Sequence, residues 1–173
     1  KECRALFEKR SMTHVACSPD CAQVVAQENR KKIERKEYAA RKKSLKTRSD
    51  YIKETQIAFN AFVRERDREL NCICCNRPLQ DEAVGGGFDC GHYRSVGSAP
   101  HLRFNENNAH GQTKQCNRYG AGRAVDYRIG LLKKIGAIAV IDIESDNTPR
   151  KYTIAELIEI RSTYKQKLRE LKK

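Results

Sequence analysis

The chain has 173 residues, with 35 Lys+Arg against 22 Asp+Glu, a formal charge of +13, 33% charged and 39% hydrophobic residues, and eight cysteines. That length fits one ordinary domain or a small domain with appendages, and no apolar run approaches the roughly 20 residues of a bilayer span, so a membrane protein and a disordered acidic protein are excluded. The charge favours a polyanionic partner, nucleic acid first, and cysteines behind a start (Lys1-Glu2-Cys3) that is not a signal peptide predict metal sites over disulfides.

Residues 1–26 read as a cysteine-rich, zinc-finger-like segment. Cys17-Ser-Pro-Asp-Cys21 spaces two thiolates so that they can converge on one zinc. Cys3 stands where the second member of a CxxC pair belongs, and its partner would lie before Lys1. His14 is the only local substitute, so an incomplete zinc site is expected here, with three free thiols as the alternative.

Residues 27–48 read as a basic helical arm. Arg30, Lys31, Lys32, Arg35, Lys36, Arg41, Lys42, Lys43, Lys46 and Arg48 are opposed only by Glu34 and Glu37, and no Pro or Gly interrupts them. Ile33, Tyr38 and Leu45 are too few to bury a face. Like-charge crowding of this density calls for a counter-anion, so the segment is predicted to lie along phosphates rather than to serve as a solvated linker.

Residues 49–130 read as the core. Thr47 and Asp50 have capping-box spacing, and Tyr51, Ile52, Ala58, Phe59, Phe62 and Val63 recur at helical period, predicting a packing helix to Leu70. Cys72-Ile-Cys-Cys75 has CxxC spacing, followed by Arg77-Pro78 and, forty residues on, by Cys116. The polar, glycine-containing stretch between them (glycines at 85–87) has little to bury, so a structural zinc would supply the missing folding free energy.

The segment from Phe88 to Asn117 carries the chemistry. Phosphodiester hydrolysis needs a base for water, and a neutral imidazole such as His92 suits that near pH 7. It needs a hard divalent cation, Mg2+ or Mn2+, for which Asp89 and Asn117 offer oxygen ligands. It also needs a polar side chain to hold the base and its loop, as Asn108 can. Arg94, Arg103, Lys114 and Arg118 are phosphate-contact candidates, and His101 reads as structural.

Residues 131–173 close the chain. Ala124–Ile135 predicts a helix ended by Gly136, and residues 137–143 (Ala-Ile-Ala-Val-Ile-Asp-Ile) predict a short strand. Thr153 and Glu156 form a second capping-box pair, followed by Leu157, Ile160, Tyr164, Leu168 and Leu171 on one face.

The order His92, Asn108, then Cys116-Asn117 resembles the HNH (ββα-metal) nuclease motif. Five segments resemble the NinG (Rap) recombination nuclease family of lambdoid phages more closely. They are Lys46-Thr-Arg-Ser-Asp50, the run from Ala58 to Asp67, the run from Gly91 to Phe104, Gln115-Cys-Asn117 and Tyr127-Arg-Ile-Gly130. The resemblance implies an α+β fold, with a small zinc-stabilised ββα-metal core flanked by long helices and preceded by the cysteine-rich finger. It implies His92 as general base, Asn108 as the residue orienting the loop, and Asn117 as the last metal ligand. Asp89 is the nearest carboxylate to the other ligand position, although an HNH aspartate normally stands where this chain has Gly91. His110 either joins metal or phosphate binding or pairs with a backbone carbonyl. A second CxxC is expected to begin at position 113, where this chain has Thr113, so Cys72, Cys75 and Cys116 supply three sulfurs. Either Cys90 or Cys74 then gives the fourth, or the site is weakened. Arg123 stands where Asn is expected.

The implied activity is metal-dependent cleavage of branched DNA, such as Holliday junctions and D-loops, in the cytoplasm of a bacterial host by a phage-encoded enzyme. Symmetric junction cutting would suggest a homodimer. The competing readings are a non-catalytic zinc-finger module that binds DNA or RNA, and a zinc-stabilised interaction protein.

Overall fold

A computed structural model describes Cys3 and residues 6–9, 11–79 and 87–173; two of the three glycines at 85–87 lie outside the described residues. The chain divides into two compact units, Lys1–Thr47 and Arg48–Lys173. The expected boundaries at 26/27 and 130/131 both fall inside helices.

The first unit is dominated by α1 (Pro19–Ser44), which buries none of its residues. Local signals define it. The Ser18 hydroxyl accepts from the Cys21 N–H at 3.2 Å, Pro19 occupies the first turn, and Arg41, Lys42 and Lys43 oppose the dipole at the end. At 1.5 Å per residue the arm is about 39 Å long. It begins well before the stretch where charge alone predicted it and stops at Ser44.

In the second unit, α2 (Arg48–Arg66) packs against α4 (Ile154–Leu171). The predicted faces meet there. Phe59, Phe62, Val63, Leu157 and Tyr164 are buried together with Phe104 and Tyr152, while Leu171 of the predicted face is 48% exposed. The α4 capping box forms as its spacing predicts, with Glu156 accepting from the Thr153 N–H at 2.7 Å. Thr55, absent from the predicted stripe, is fully buried because its hydroxyl donates to the carbonyl oxygens of Tyr51 and Leu157.

Against these helices lies an antiparallel pair, β1 (Phe88–His92) and β2 (Ala109–Thr113), with Phe88 opposite Thr113 and His92 opposite Ala109. The register places the cysteine knuckle at one end of the hairpin and His92 at the other. A single π-type turn (Gln115–Tyr119) leads from β2 towards α3 (Ala124–Ser145). The result is a helix-rich α+β arrangement with one two-stranded sheet among the described residues.

The predicted strand at 137–143 is corrected: these residues are helical, continuing α3 beyond a kink at Gly136 (φ 82°, ψ 164°). Val140 and Ile143 are buried while Ile138 and Ile141 are 79% and 56% exposed, a three-residue period that an alternating strand would not give. The kink lets Val140 join Tyr127 and Leu131 in one cluster. The β-branched composition suggested a strand, but the packing surface available to this segment runs along one side only.

Gly130 explains part of the family-like Tyr127-Arg-Ile-Gly130 segment. A Cβ there would stand 2.0 Å from the Ile73 carbonyl oxygen, so α3 and the knuckle backbone approach as closely as glycine permits. We expect Gly130→Ala to destabilise the protein by about 2 kcal/mol, because overpacking against backbone exceeds the roughly 1 kcal/mol gain in helix propensity. A thermal melt showing an unchanged or raised Tm would contradict this.

Candidate functional site

His92 ends β1 with its ring beside Phe59, centroids 6.0 Å apart. Its Nε2–H donates to the Arg103 carbonyl oxygen at 3.0 Å, which leaves the lone pair on Nδ1. Burial holds its pKa below the ordinary 6.5, outweighing the opposing effect of that carbonyl, so the ring is neutral at pH 7.

Asn108 is fully buried immediately before β2. Its Oδ1 accepts from the Arg94 N–H at 2.9 Å, and its Nδ2 donates to the carbonyl oxygens of Arg94 (3.0 Å) and Leu102 (3.2 Å). One amide thus closes the 94–102 loop, whose return brings the Arg103 carbonyl to His92.

Asn117 lies in the π-type turn and shares with His92 a cavity of about 310 Å3, also lined by Cys90, Tyr93, Ser95 and Gly122. π-Type turns of this kind recur at functional sites. Asn117 Nδ2 donates to Asp89 Oδ2 at 3.1 Å, leaving its own carbonyl oxygen for another partner. Asp89 does not line that cavity. Both of its oxygens accept from Arg118, at 2.7 and 3.0 Å, and Arg118 and Asn117 together hold its carboxyl below the ordinary range against the effect of burial. Gly91, the residue where an HNH aspartate is expected, has no room for a side chain. A Cβ there would meet Gln112 Oε1 at 2.1 Å, and Gln112 is itself fully buried.

His110 is buried on β2 opposite Gly91, its ring 6.2 Å from that of Tyr127, and does not line the cavity. Burial first, then the nearby Lys134 and Arg66 cations, push its pKa down to about 3. The group is neutral when folded and protonates near 6.5 when unfolded. Its contribution to stability is therefore present above pH 6.5 and lost as pH falls towards 3, at about 1.4 kcal/mol per unit. We expect denaturant titrations at pH 7.5 and 5 to differ by about 2 kcal/mol from this group. His110→Gln should flatten that difference, and an equally steep profile in the variant would refute the assignment.

Beneath β2 lies a charge cluster that the sequence reading did not find. Asp67, 1% exposed, accepts from the Gly111 N–H at 2.7 Å, from Arg66 at 2.8 Å and from Lys134 at 3.3 Å. It ties the end of α2 to β2 and α3. The only trace in sequence was its place at the end of the family-like segment from Ala58 to Asp67.

Two cysteine groups are able to hold a metal ion. In one, the Sγ atoms of Cys3, Cys17 and Cys21 lie within 4.8 Å of one another, Cys3 and Cys17 at 3.2 Å. His14, the proposed local substitute, packs edge-on against Phe7. In the other, Cys72, Cys75 and Cys116 converge within the same limit. The knuckle turns through Asn76 at φ 56°, a left-handed conformation that asparagine tolerates, and Arg77 Nε donates to Cys75 Sγ at 3.4 Å. Neither Cys90 nor Cys74 joins this group. Cys90 packs on the α2–α4 core, where burial pushes its thiol up to about 12. Cys74 Sγ instead accepts from Gln112 Nε2 at 2.9 Å.

The basic residues also separate. Arg30, Lys31, Lys32, Arg35, Lys36, Arg41, Lys42 and Lys43 are exposed along α1, whereas Arg48 Nε donates to the Tyr152 carbonyl at 2.6 Å. Arg94, predicted to contact phosphate, spends its guanidinium on the carbonyls of Ile143 and Asp146, ending α3. Arg103 donates to Gln56 and to the Val96 carbonyl. Arg118 is paired with Asp89 but remains 57% exposed, and Lys114 directly precedes the π-type turn. Arg123 sits at φ 47°, the left-handed region that explains the asparagine expected there. No helix among the described residues is long and apolar enough to cross a membrane.

Fold and cysteine clusters together define a helix-rich α+β protein with two groups of thiols fit for structural metal such as zinc. A family model described as Bacteriophage Lambda NinG protein matches residues 1–173, so the chain belongs to the NinG family of phage proteins. It is 40% identical to protein ninG of Escherichia phage lambda, over 99% of this chain and 90% of that one. It is likewise 40% identical to protein ninG of Salmonella phage P22, over 99% and 91%. Protein ninG of Escherichia phage 933W is 44% identical over 76% of this chain and 63% of its own length. No solved structure matches the chain.

Proposed function

We propose that this NinG-family chain is a metal-dependent endodeoxyribonuclease of HNH type that cleaves branched DNA. The observation that carries the reading is the single cavity in which His92, neutral and with a free Nδ1, faces the same space as Asn117. In this reading His92 Nδ1 accepts a proton from the attacking water, and Asn108 holds the loop that fixes the imidazole. Asn117 Oδ1 is the cation ligand, and Asp89 joins it on releasing Arg118. When bound, Mg2+ or Mn2+ neutralises charge on the scissile phosphate and the leaving oxygen. His110, buried beside the Asp67–Arg66–Lys134 cluster and outside the cavity, has no part in it.

The exposed basic face of α1 supports an arm that follows phosphates without reading bases, which suits a branched substrate with several backbones. We expect replacement of Lys31, Lys32, Arg35 and Lys36 by glutamine to weaken junction binding. The slope of log K against log[salt] should flatten by up to about 0.9 per side chain that contacts a phosphate. An unchanged slope would remove the arm from the interface. Symmetric cutting would call for two copies at the junction.

The engagement of Asp89 by Arg118 favours the rival reading, a non-catalytic zinc-finger module that binds nucleic acid. Purified protein mixed with a four-way DNA junction and Mg2+ or Mn2+ separates the two. Cleavage by the native chain that His92→Ala removes supports the nuclease. Binding without cleavage by both supports the module.

A further inference from the structure

We propose that the Cys72–Cys75–Cys116 site binds its metal through three sulfurs and one oxygen, the oxygen standing at Thr113. The proposal rests on these cysteines being a metal clip and is independent of the nuclease reading.

The geometry is that of an occupied fourth corner. A tetrahedral zinc with Zn–S bonds of about 2.3 Å and a Zn–O bond of about 2.1 Å sets S···S edges of about 3.8 Å and S···O edges of about 3.6 Å. Thr113 Oγ1 stands 3.8 Å from Cys72 Sγ and 4.0 Å from Cys75 Sγ, and the Cys116 N–H donates to it at 3.4 Å. The three sulfurs lie within 4.8 Å of one another. The hydroxyl therefore lies within about 0.4 Å of a tetrahedral edge from two of the sulfurs and accepts from the backbone N–H of the residue that carries the third. The β1–β2 register holds it there, Thr113 being the last residue of β2 and paired with Phe88.

Neither spare thiol reaches that corner. Cys74 Sγ touches Cys72 but does not converge with all three sulfurs, being engaged by Gln112 Nε2 and facing the Gly122 carbonyl, while Cys90 is held in the sheet opposite Gly111 and packs on the other core. The charge balance also agrees. Three thiolates on a divalent ion leave net negative charge, and guanidinia stand beside them: Arg77 donates to Cys75 Sγ at 3.4 Å, and Arg123 interacts with Cys116. The Thr113 N–H donates to Cys72 Sγ, also at 3.4 Å, so the same residue serves the site through backbone and side chain.

A neutral oxygen is a poorer partner than thiolate for a borderline-soft ion, so this corner is the one that exchanges. The oxygen is either the Thr113 hydroxyl itself or a water it positions. Both make the clip weaker than a four-sulfur site and open to chelators at a single vertex.

The test uses the full chain carrying Cys17→Ser and Cys21→Ser, which silences the other cluster, loaded with Co2+. Thiolate-to-cobalt charge-transfer absorbance per bound ion counts the sulfurs, and competition with a chromophoric chelator gives Zn2+ affinity. We expect three thiolates in this background. Thr113→Cys should raise the absorbance by about one third and tighten Zn2+ binding about tenfold or more. Cys74→Ser and Cys90→Ser should change neither. Thr113→Val separates the two oxygen sources: a loss of about tenfold or more assigns the hydroxyl, and a retained tetrahedral spectrum with little loss assigns the water. Four thiolates in the background protein, or a Thr113→Cys variant with unchanged absorbance and affinity, would overturn the proposal. Failure to bind tetrahedral Co2+ at all would overturn the metal clip with it and leave the junction assay untouched.

Discussion

Replacing His92 by alanine is expected to lower the rate of junction cleavage by about 10²- to 10⁴-fold while binding is retained, the range typical of a lost general base. Nε2–H is committed to the Arg103 carbonyl, so the lone pair sits on Nδ1, and burial keeps the ring deprotonated. The rate should then be insensitive to pH above 6.5 and fall on acidification, through a pKa lower than that of a free imidazole. Asn108→Ala should also slow cleavage, but by another route. It would leave the Arg94 amide and the Arg94 and Leu102 carbonyls without their buried partner, so a lowered Tm should accompany the slower rate. His92→Ala should keep binding and lose some Tm through the Arg103 hydrogen bond and the Phe59 contact, so its test is the loss of rate in protein still folded at the assay temperature. Equal cleavage by His92→Ala and the native chain would end the nuclease proposal.

Stripping the metal is expected to have the largest effect on structure. Structural zinc in small finger peptides contributes about 10–16 kcal/mol of folding free energy, as much as an entire domain commonly has. The knuckle has little else, since its buried apolar cluster consists of Leu79 and Phe88 besides Cys72 and Cys116. The α2–α4 core, with Phe59, Val63, Leu157 and Tyr164, does not depend on the clip. Chelation, or Cys116→Ser, should therefore melt the hairpin selectively. Amides of Gly111 and Thr113 should lose hydrogen-exchange protection while those of α2 and α4 keep it. Because β1 carries His92 and β2 follows Asn108, cleavage should disappear together with hairpin protection. If hairpin protection survives complete removal of metal, the clip has no structural role.

Much of this molecule was legible along the chain because its signals are short-range. Capping of α4 by Thr153 and Glu156, the apolar stripes of α2 and α4, and the grouping of Cys72 and Cys75 follow from spacings of three and four residues. Cys116, forty residues on, was a weaker signal, since no local period ties it to the CxxC pair. Helical period failed at 137–143, where β-branched residues imitate a strand and only the one-sided packing surface reveals a helix. Charge failed in a different way. Arg94 and Arg103 look like the lysines and arginines of α1, yet folding places them against carbonyl oxygens that must be satisfied.

By itself, then, the sequence determined that the protein is basic, that its charge concentrates in one helical arm, and that its eight thiols fall into two groups along the chain. The tertiary structure alone decided which thiols converge in the second group, what stands beside them and what faces the cavity. Residues 20 to 40 positions apart meet through the β1–β2 register, and that register brings Thr113 to the sulfurs, buries His110 beside the Asp67 cluster and turns Asp89 towards Arg118. Such placements depend on cross-strand pairing and desolvation, which have no local period to be read.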